Sequence, residues 1–137
     1  MIDRIFIDSN VWVYLFSHEE ERKREIAEHY IANQGNANTI IITYQVINEV
    51  TSALKKKGVA EQAIRSTIES LMKICVVQDY SKEMLLLASE LRDDHFFSFW
   101  DSHIVAGALT AQCTLLVSED MQDGFTKDGL TINNIFK

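Results

Sequence analysis

The sequence predicts an α/β fold, a three-layer sandwich with helices on both faces of a central parallel sheet. Two observations lead there. Short β-branched runs alternate with segments of helical periodicity, and alternating strands and helices imply a parallel sheet covered on both sides. The 137 residues contain no proline, no repeat and no low-complexity tract. Residues 1–137 are therefore expected to form one domain around one core.

The elements follow in order. Arg4 to Ile7 reads as a short buried strand. Ser9 and Asn10 can cap a helix from about Val11 to Phe16, which would leave Asp8 free. A charged helix is expected from about Glu19 to Asn33, ending in the loop Gln34-Gly35-Asn36. Thr39 to Ile42 is a β-branched strand. Tyr44 to Lys57 is amphipathic: Val46, Ile47, Val50, Ala53 and Leu54 recur at spacings of three and four, and Gly58 ends the helix. Next come a helix over about Ala60 to Lys73 and a strand at Ile74 to Val77. Helices then start at Ser81, reaching about Arg92, and at Ser98, reaching Ala111. Thr114 to Ser118 is a strand and Leu130 to Asn133 a weaker one.

Composition narrows the function. An apolar fraction of 47% excludes a disordered chain. No apolar run is long enough to span a bilayer, and no secretory leader is recognisable, so a cytoplasmic protein is expected. Cys75 and Cys113 read as buried free thiols, and no Cys–His spacing suggests zinc. The net charge of −7 excludes a basic nucleic-acid coat. Four acids of one site would account for most of that charge, which is −3 without them.

Those acids are Asp8, Glu49, Asp101 and Asp120. Ligands of parallel sheets bind beyond the carboxyl ends of the strands. Asp8 directly follows the first strand, and Asp120 lies two residues beyond the strand ending at Ser118. Each also has a structural reading. Asp8 could cap a helix, Asp120 could make an Asx turn, and Asp101 completes a capping-box spacing with Ser98. Glu49 is harder to dismiss, because it lies on the edge of an apolar stripe. The apolar residues around Asp101 (Phe96, Phe97, Phe99, Trp100, Ile104, Val105) suggest a helix buried nearly all round. Asp123 is a candidate fifth, outer carboxylate, whereas Asp93, Asp94 and Glu119 read as solvated loop residues. Lys55-Lys56-Lys57 and Arg22-Lys23-Arg24 could hold phosphates, although charge runs are usually solvated. His18 and His103 read as incidental.

Four carboxylates in one crevice repel. Two unit charges 4 Å apart cost about 4 kcal/mol at an effective dielectric of 20. Protons or a cation must offset this, and oxygen-only donors suit Mg²⁺ or Mn²⁺.

These segments resemble the PIN-domain nucleases, in particular the free-standing VapC type. Ile5-Phe6-Ile7-Asp8-Ser9-Asn10-Val11 is similar to the first motif and Val46-Ile47-Asn48-Glu49-Val50 to the second. The third is matched by Phe99 to Leu109, led by Asp101, and the fourth by Leu115-Leu116-Val117-Ser118-Glu119-Asp120. Ser stands at positions 9 and 118 where Thr is more usual, and Asn133-Asn134-Ile135-Phe136 lacks the common Asn-Pro-Phe ending. The resemblance implies a metal-dependent endoribonuclease, the toxin of a toxin–antitoxin pair. Asp8, Glu49, Asp101 and Asp120 would be both catalytic and metal-binding, with Ser9, Asn10, Ser118 and Asp123 supporting them. It further implies RNA as substrate, a homodimer, and an antitoxin that places a basic residue among the acids. The opening between Glu19 and Asn38, with its flanking helices, would be the docking surface. Two rivals stand beside this reading. A haloacid-dehalogenase-like phosphatase would want Asp-x-Asp where Asp8-Ser9-Asn10 stands, and a non-catalytic RNA-binding PIN-like module would be expected to lack some of the acids.

Overall fold

The computed structural model describes residues 2–137. Six strands form one sheet: β1 (Arg4–Ile7), β2 (Thr39–Thr43), β3 (Val76–Gln78), β4 (Leu115–Val117), β5 (Thr126–Lys127) and β6 (Leu130–Asn133). Their spatial order is β3-β2-β1-β4-β6-β5, and only the β5–β6 pair is antiparallel. Six helices complete the described residues: α1 (Ser9–Ser17), α2 (Glu21–Ala37), α3 (Tyr44–Lys56), α4 (Glu61–Ile74), α5 (Lys82–Asp94) and α6 (Phe99–Thr110).

The central strands carry the core. Phe6, Ile7, Ile41, Ile42, Leu116 and Val117 are fully buried, as doubly covered parallel strands require. Trp12 on α1 is also fully buried, and its indole N–H donates to the Ile7 carbonyl at 3.1 Å, so the polar edge of the ring is satisfied. Helix α6 lies very close to the sheet. A methyl group on Gly107 would sit 3.0 Å from Thr43 Cγ2 and 3.4 Å from Met84 Cε, so glycine permits this approach.

Four local expectations are corrected. The expected loop Gln34-Gly35-Asn36 is helical, because α2 runs on to Ala37. Asn38 stops it: its backbone N–H donates to the Gln34 carbonyl at 2.7 Å and its amide to Gln34 Oε1 at 2.7 Å. Strand β3 begins two residues later than expected, because α4 continues through Ile74. Strand β5 was not expected. It folds back onto β6 through Asp128 and Gly129, whose φ angles of 48° and 87° belong to a tight hairpin turn. Helix α6 is buried all round only from Ser102 to Ala108. Its first turn is open, with Phe99 and Trp100 about half exposed, and Phe96 before it is wholly exposed.

Candidate active site

The carboxyl ends of β1 and β4 lie side by side, with Ile7 paired to Val117. The residues that follow them, Asp8 and Ser118, meet directly. Asp8 is the N-cap of α1, so Ser9 and Asn10 do not take that role and Asp8 is not left free. Its Oδ1 accepts the Ser9 N–H at 2.8 Å and its Oδ2 accepts the Ser118 hydroxyl at 2.8 Å. Capping and site membership coexist here because a carboxylate has two oxygens to share.

Asn10 links the two strand ends. Its amide donates to Asp120 Oδ2 and to Ser118 Oγ, each at 3.2 Å, and lies 3.5 Å from Asp8 Oδ2. Its Oδ1 accepts the Glu119 N–H at 3.2 Å. Ser118 Oγ also accepts the Asp120 N–H, at 3.3 Å. Ser118 and Asn10 therefore orient Asp8 and Asp120 together.

Glu49 reaches this edge from α3, with Oε2 accepting the Gln45 amide at 3.4 Å. Asp101 sits in the first turn of α6, and its N–H donates to the capping hydroxyl of Ser98 at 3.2 Å. The helix N-terminus favours an acid there.

Asp8, Glu49 and Asp101 are each raised in part by the charge of another of the four acids. Burial pushes Asp8 up to about 7, against the hydrogen bonds of Ser118 and Ser9, and the charges of Glu49 and Asp101 add to the rise. Glu49 is raised by burial and by the charge of Asp101, while the Gln45 and Ser9 side chains hold it down. Asp101 is raised by burial and by the charge of Asp120, with the Ser98 hydrogen bond opposing.

Counter-ions separate these acids from their neighbours. Among the described residues, no Lys, Arg or His forms an ion pair with Asp8, Glu49, Asp101 or Asp120. Glu119 and Asp123, close in sequence, both have one. Lys23 Nζ lies 2.6 Å from Glu119 Oε2, and the Tyr14 hydroxyl donates to Glu119 Oε1. Glu119 is thus a clamped residue and not the solvated one expected from sequence. Burial would raise it, but the bonds from Lys23 and Tyr14 win and hold it low. Asp123, the expected fifth carboxylate, accepts the Asn134 N–H at 2.8 Å and pairs with Lys137 at 2.9 Å. Both of its oxygens are engaged at the C-terminal turn and not with the four acids.

Among the described residues, no three His, Cys, Asp or Glu side chains converge into a ready-made metal cage. The donor set nevertheless fits a hard divalent cation: four carboxylates, all oxygen, three of them held above their ordinary pKa and none paired with a cationic side chain. An open arrangement suits Mg²⁺, which keeps several waters and completes its shell with substrate oxygens.

The family model of the PIN domain matches residues 5–125. The chain belongs to the PIN domain family. Solved structures share the fold of this PIN domain. VapBC2 from Rickettsia felis, bound to a DNA fragment from its promoter, superposes with a TM-score of 0.74 at 18% identity, covering 96% of this chain and 98% of that one. VapC20 of Mycobacterium tuberculosis, a toxin that cleaves the sarcin-ricin loop, gives 0.67 at 18% identity over 82% and 86% of the two chains. A DNA-bound VapBC from Salmonella typhimurium gives 0.69 at 15% identity over 98% and 99%. No curated protein matches the chain by sequence comparison.

Some residues of the site carried no clear sequence signal. Gln45 was legible only as the residue one turn before Glu49 on α3. The Lys23–Glu119 clamp joins α2 to the β4 edge and had no local signal.

Proposed function

We propose that this PIN domain hydrolyses RNA phosphodiester bonds with the help of Mg²⁺ or Mn²⁺, as the toxin of a toxin–antitoxin pair. The observation that carries the reading is the set of four acids without counter-ions at one sheet edge. Family membership supports nuclease chemistry. The neighbouring structures, a toxin that cleaves the sarcin-ricin loop and toxin–antitoxin complexes, support RNA as substrate and a protein partner.

Asp8, Glu49, Asp101 and Asp120 would hold the cation. Bound there, it supplies positive charge to the phosphoryl oxygens and activates a water molecule. The chain's own residues do the positioning. The Ser118 hydroxyl and Ser9 N–H fix both oxygens of Asp8, and Asn10 holds Asp120 in register with it. In the absence of a cation, burial leaves Asp8 protonated in a large fraction of molecules near neutral pH. A cation held there would have to displace that proton, so its affinity is expected to rise with pH.

The site also suits an antitoxin that inserts a basic residue among the acids. The surface expected to receive such a partner, Glu19 to Asn38, is mostly α2. The outer face of α2 borders a groove of about 500 Å³ lined by Arg22, Ile26, Tyr30 and Ile135 among others, and this is where we place the antitoxin. A homodimer and a cytoplasmic location belong to the same reading. No helix among the described residues is long and apolar enough to cross a membrane, and burial pushes the free Cys75 and Cys113 thiols up to about 12.

The test is cleavage of a mixed RNA substrate by the purified protein with Mn²⁺, with EDTA, and by Glu49→Gln prepared in parallel. Cleavage confined to wild type with Mn²⁺ is expected. Equal cleavage by Glu49→Gln would overturn the assignment.

A further inference from the structure

A groove of about 550 Å³ runs away from the acid cluster along α3. Glu49 lines both, so the two are continuous. Asn48, Ser52 and Lys56 line the groove at i, i+4 and i+8, forming one polar stripe of about 12 Å. Trp100 and Tyr80 supply its aromatic walls.

Three features distinguish this groove from an ordinary surface. First, its aromatic rings are exposed, and Trp100 is held in place. Trp100 is 57% and Tyr80 43% exposed. Trp100 is held edge-to-face by Phe99, with centroids 5.0 Å apart, and tilted on His103 at 5.6 Å. Phe99 is itself covered by the Arg92 guanidinium, 4.6 Å from its ring centroid. Second, Gln45 ties this platform to the acids: its amide donates both to the Trp100 carbonyl at 3.2 Å and to Glu49. Third, the lysine run Lys55-Lys56-Lys57 is divided. Lys55 pairs with Glu61 at 2.7 Å and Lys57 with Glu19 at 2.6 Å. Lys56 has no ion pair among the described residues and lines the groove.

We propose that this groove binds the unpaired nucleotides next to the scissile phosphate, with a base stacked on Trp100 and Tyr80 and a phosphate on Lys56. The proposal rests on the RNA reading above and deepens it by naming the residues of this chain that hold the nucleotides beside the cut. Stacking is open to any base but only when the base is unpaired, since a duplex hides its base faces. Asn48 and Ser52 offer amide and hydroxyl groups to base edges. An apolar helix in the same place would desolvate Asn48, Ser52 and Lys56 without partners, which argues for a polar occupant.

Trp100 also supplies the probe. The only other tryptophan, Trp12, is fully buried, so quenching of the exposed fluorophore reports the groove. The experiment titrates an eight-nucleotide oligoadenylate, single-stranded or annealed to its complement, into the full chain with Ca²⁺. It is repeated with Trp100→Leu, Trp100→Phe and Lys56→Gln, affinities of all four proteins are read from the anisotropy of a fluorescein-labelled oligonucleotide, and sedimentation is run on each protein. Single-strand binding should quench wild-type emission, and Trp100→Leu should weaken binding roughly 5- to 150-fold, as expected for one stacked base. Trp100→Phe should retain most of the affinity. Lys56→Gln should reduce the slope of log affinity against log salt by about one. Binding by Trp100→Leu within twofold of wild type, or equal binding of the duplex, would overturn the proposal. So would a change of oligomeric state in Trp100→Leu, which would make the groove a protein interface. Wild type that binds and quenches but cleaves no RNA with Mn²⁺ would sink the nuclease reading and leave the groove standing. Wild type that cleaves RNA while Trp100→Leu binds unchanged would do the reverse.

Discussion

Replacing Asp8 by Asn should stabilise the metal-free protein, and the gain should grow with pH. Asp8 is 5% exposed, and burial moves it from an ordinary 3.8 to about 7. An acid raised in the folded state binds its proton more tightly there than in the unfolded chain. Its penalty is therefore absent below pH 3.8, grows as pH rises, and is complete above about 7. The full interval corresponds to about 4 kcal/mol. Asn carries no charge, is itself a good helix cap, and can still accept the Ser9 N–H. Against this, the Ser118 hydroxyl loses its anionic acceptor, at a cost of about 1–3 kcal/mol. The net gain at pH 8.5 is about 1–3 kcal/mol, or roughly 3–9 °C in Tm for a chain of this size. At pH 4.5 the penalty has fallen to about 1 kcal/mol, which the weakened Ser118 bond offsets, so the variant should melt with wild type or below it. The assay is thermal melting in EDTA across that range. A variant that melts below wild type by a constant margin at every pH would refute the reasoning.

Other outcomes follow from the same geometry. Ser118→Ala removes the 2.8 Å bond to Asp8 Oδ2, so Mn²⁺ affinity by calorimetry should fall about 10- to 100-fold while far-UV dichroism is unchanged. Gly107→Ala trades a helix-propensity gain of about 1 kcal/mol against a contact of 3.0 Å with Thr43 Cγ2. Overpacking costs typically about 1–3 kcal/mol, so urea unfolding should show a net loss. Mg²⁺ or Mn²⁺ should raise the Tm of wild type, and Asp101→Asn should abolish most of that rise; an unchanged response would remove Asp101 from the site.

Much of this was legible because periodicity changes between strand and helix. Ile5–Ile7 and Thr39–Ile42 could only be buried strands, and once the strands are parallel Asp8 and Asp120 must share an edge. Long-range facts were not legible. Glu119 looks like a loop acid until α2 brings Lys23 to it across the fold. Gln34-Gly35-Asn36 carries loop chemistry, yet Asn38 anchors the helix beyond it, and the Asp3 N–H in turn donates to Asn38 Oδ1 at 3.0 Å. The aromatic run before Asp101 was expected to be buried, because hydrophobicity says what a residue prefers and not where its neighbours end. Phe96, Phe99 and Trp100 precede the first packed turn of α6 and stay open. The signal at Asp128-Gly129 was present in the sequence; a β5 of two residues offers too little pattern to confirm it.

The central claim is that four acids without counter-ions form a divalent-cation site. Anomalous scattering from crystals of the protein grown with Mn²⁺ tests it most directly. A peak bounded by Asp8, Glu49, Asp101 and Asp120 is expected. A structure in which those carboxylates hold no manganese at saturating concentration, or in which the peak lies elsewhere, would contradict it.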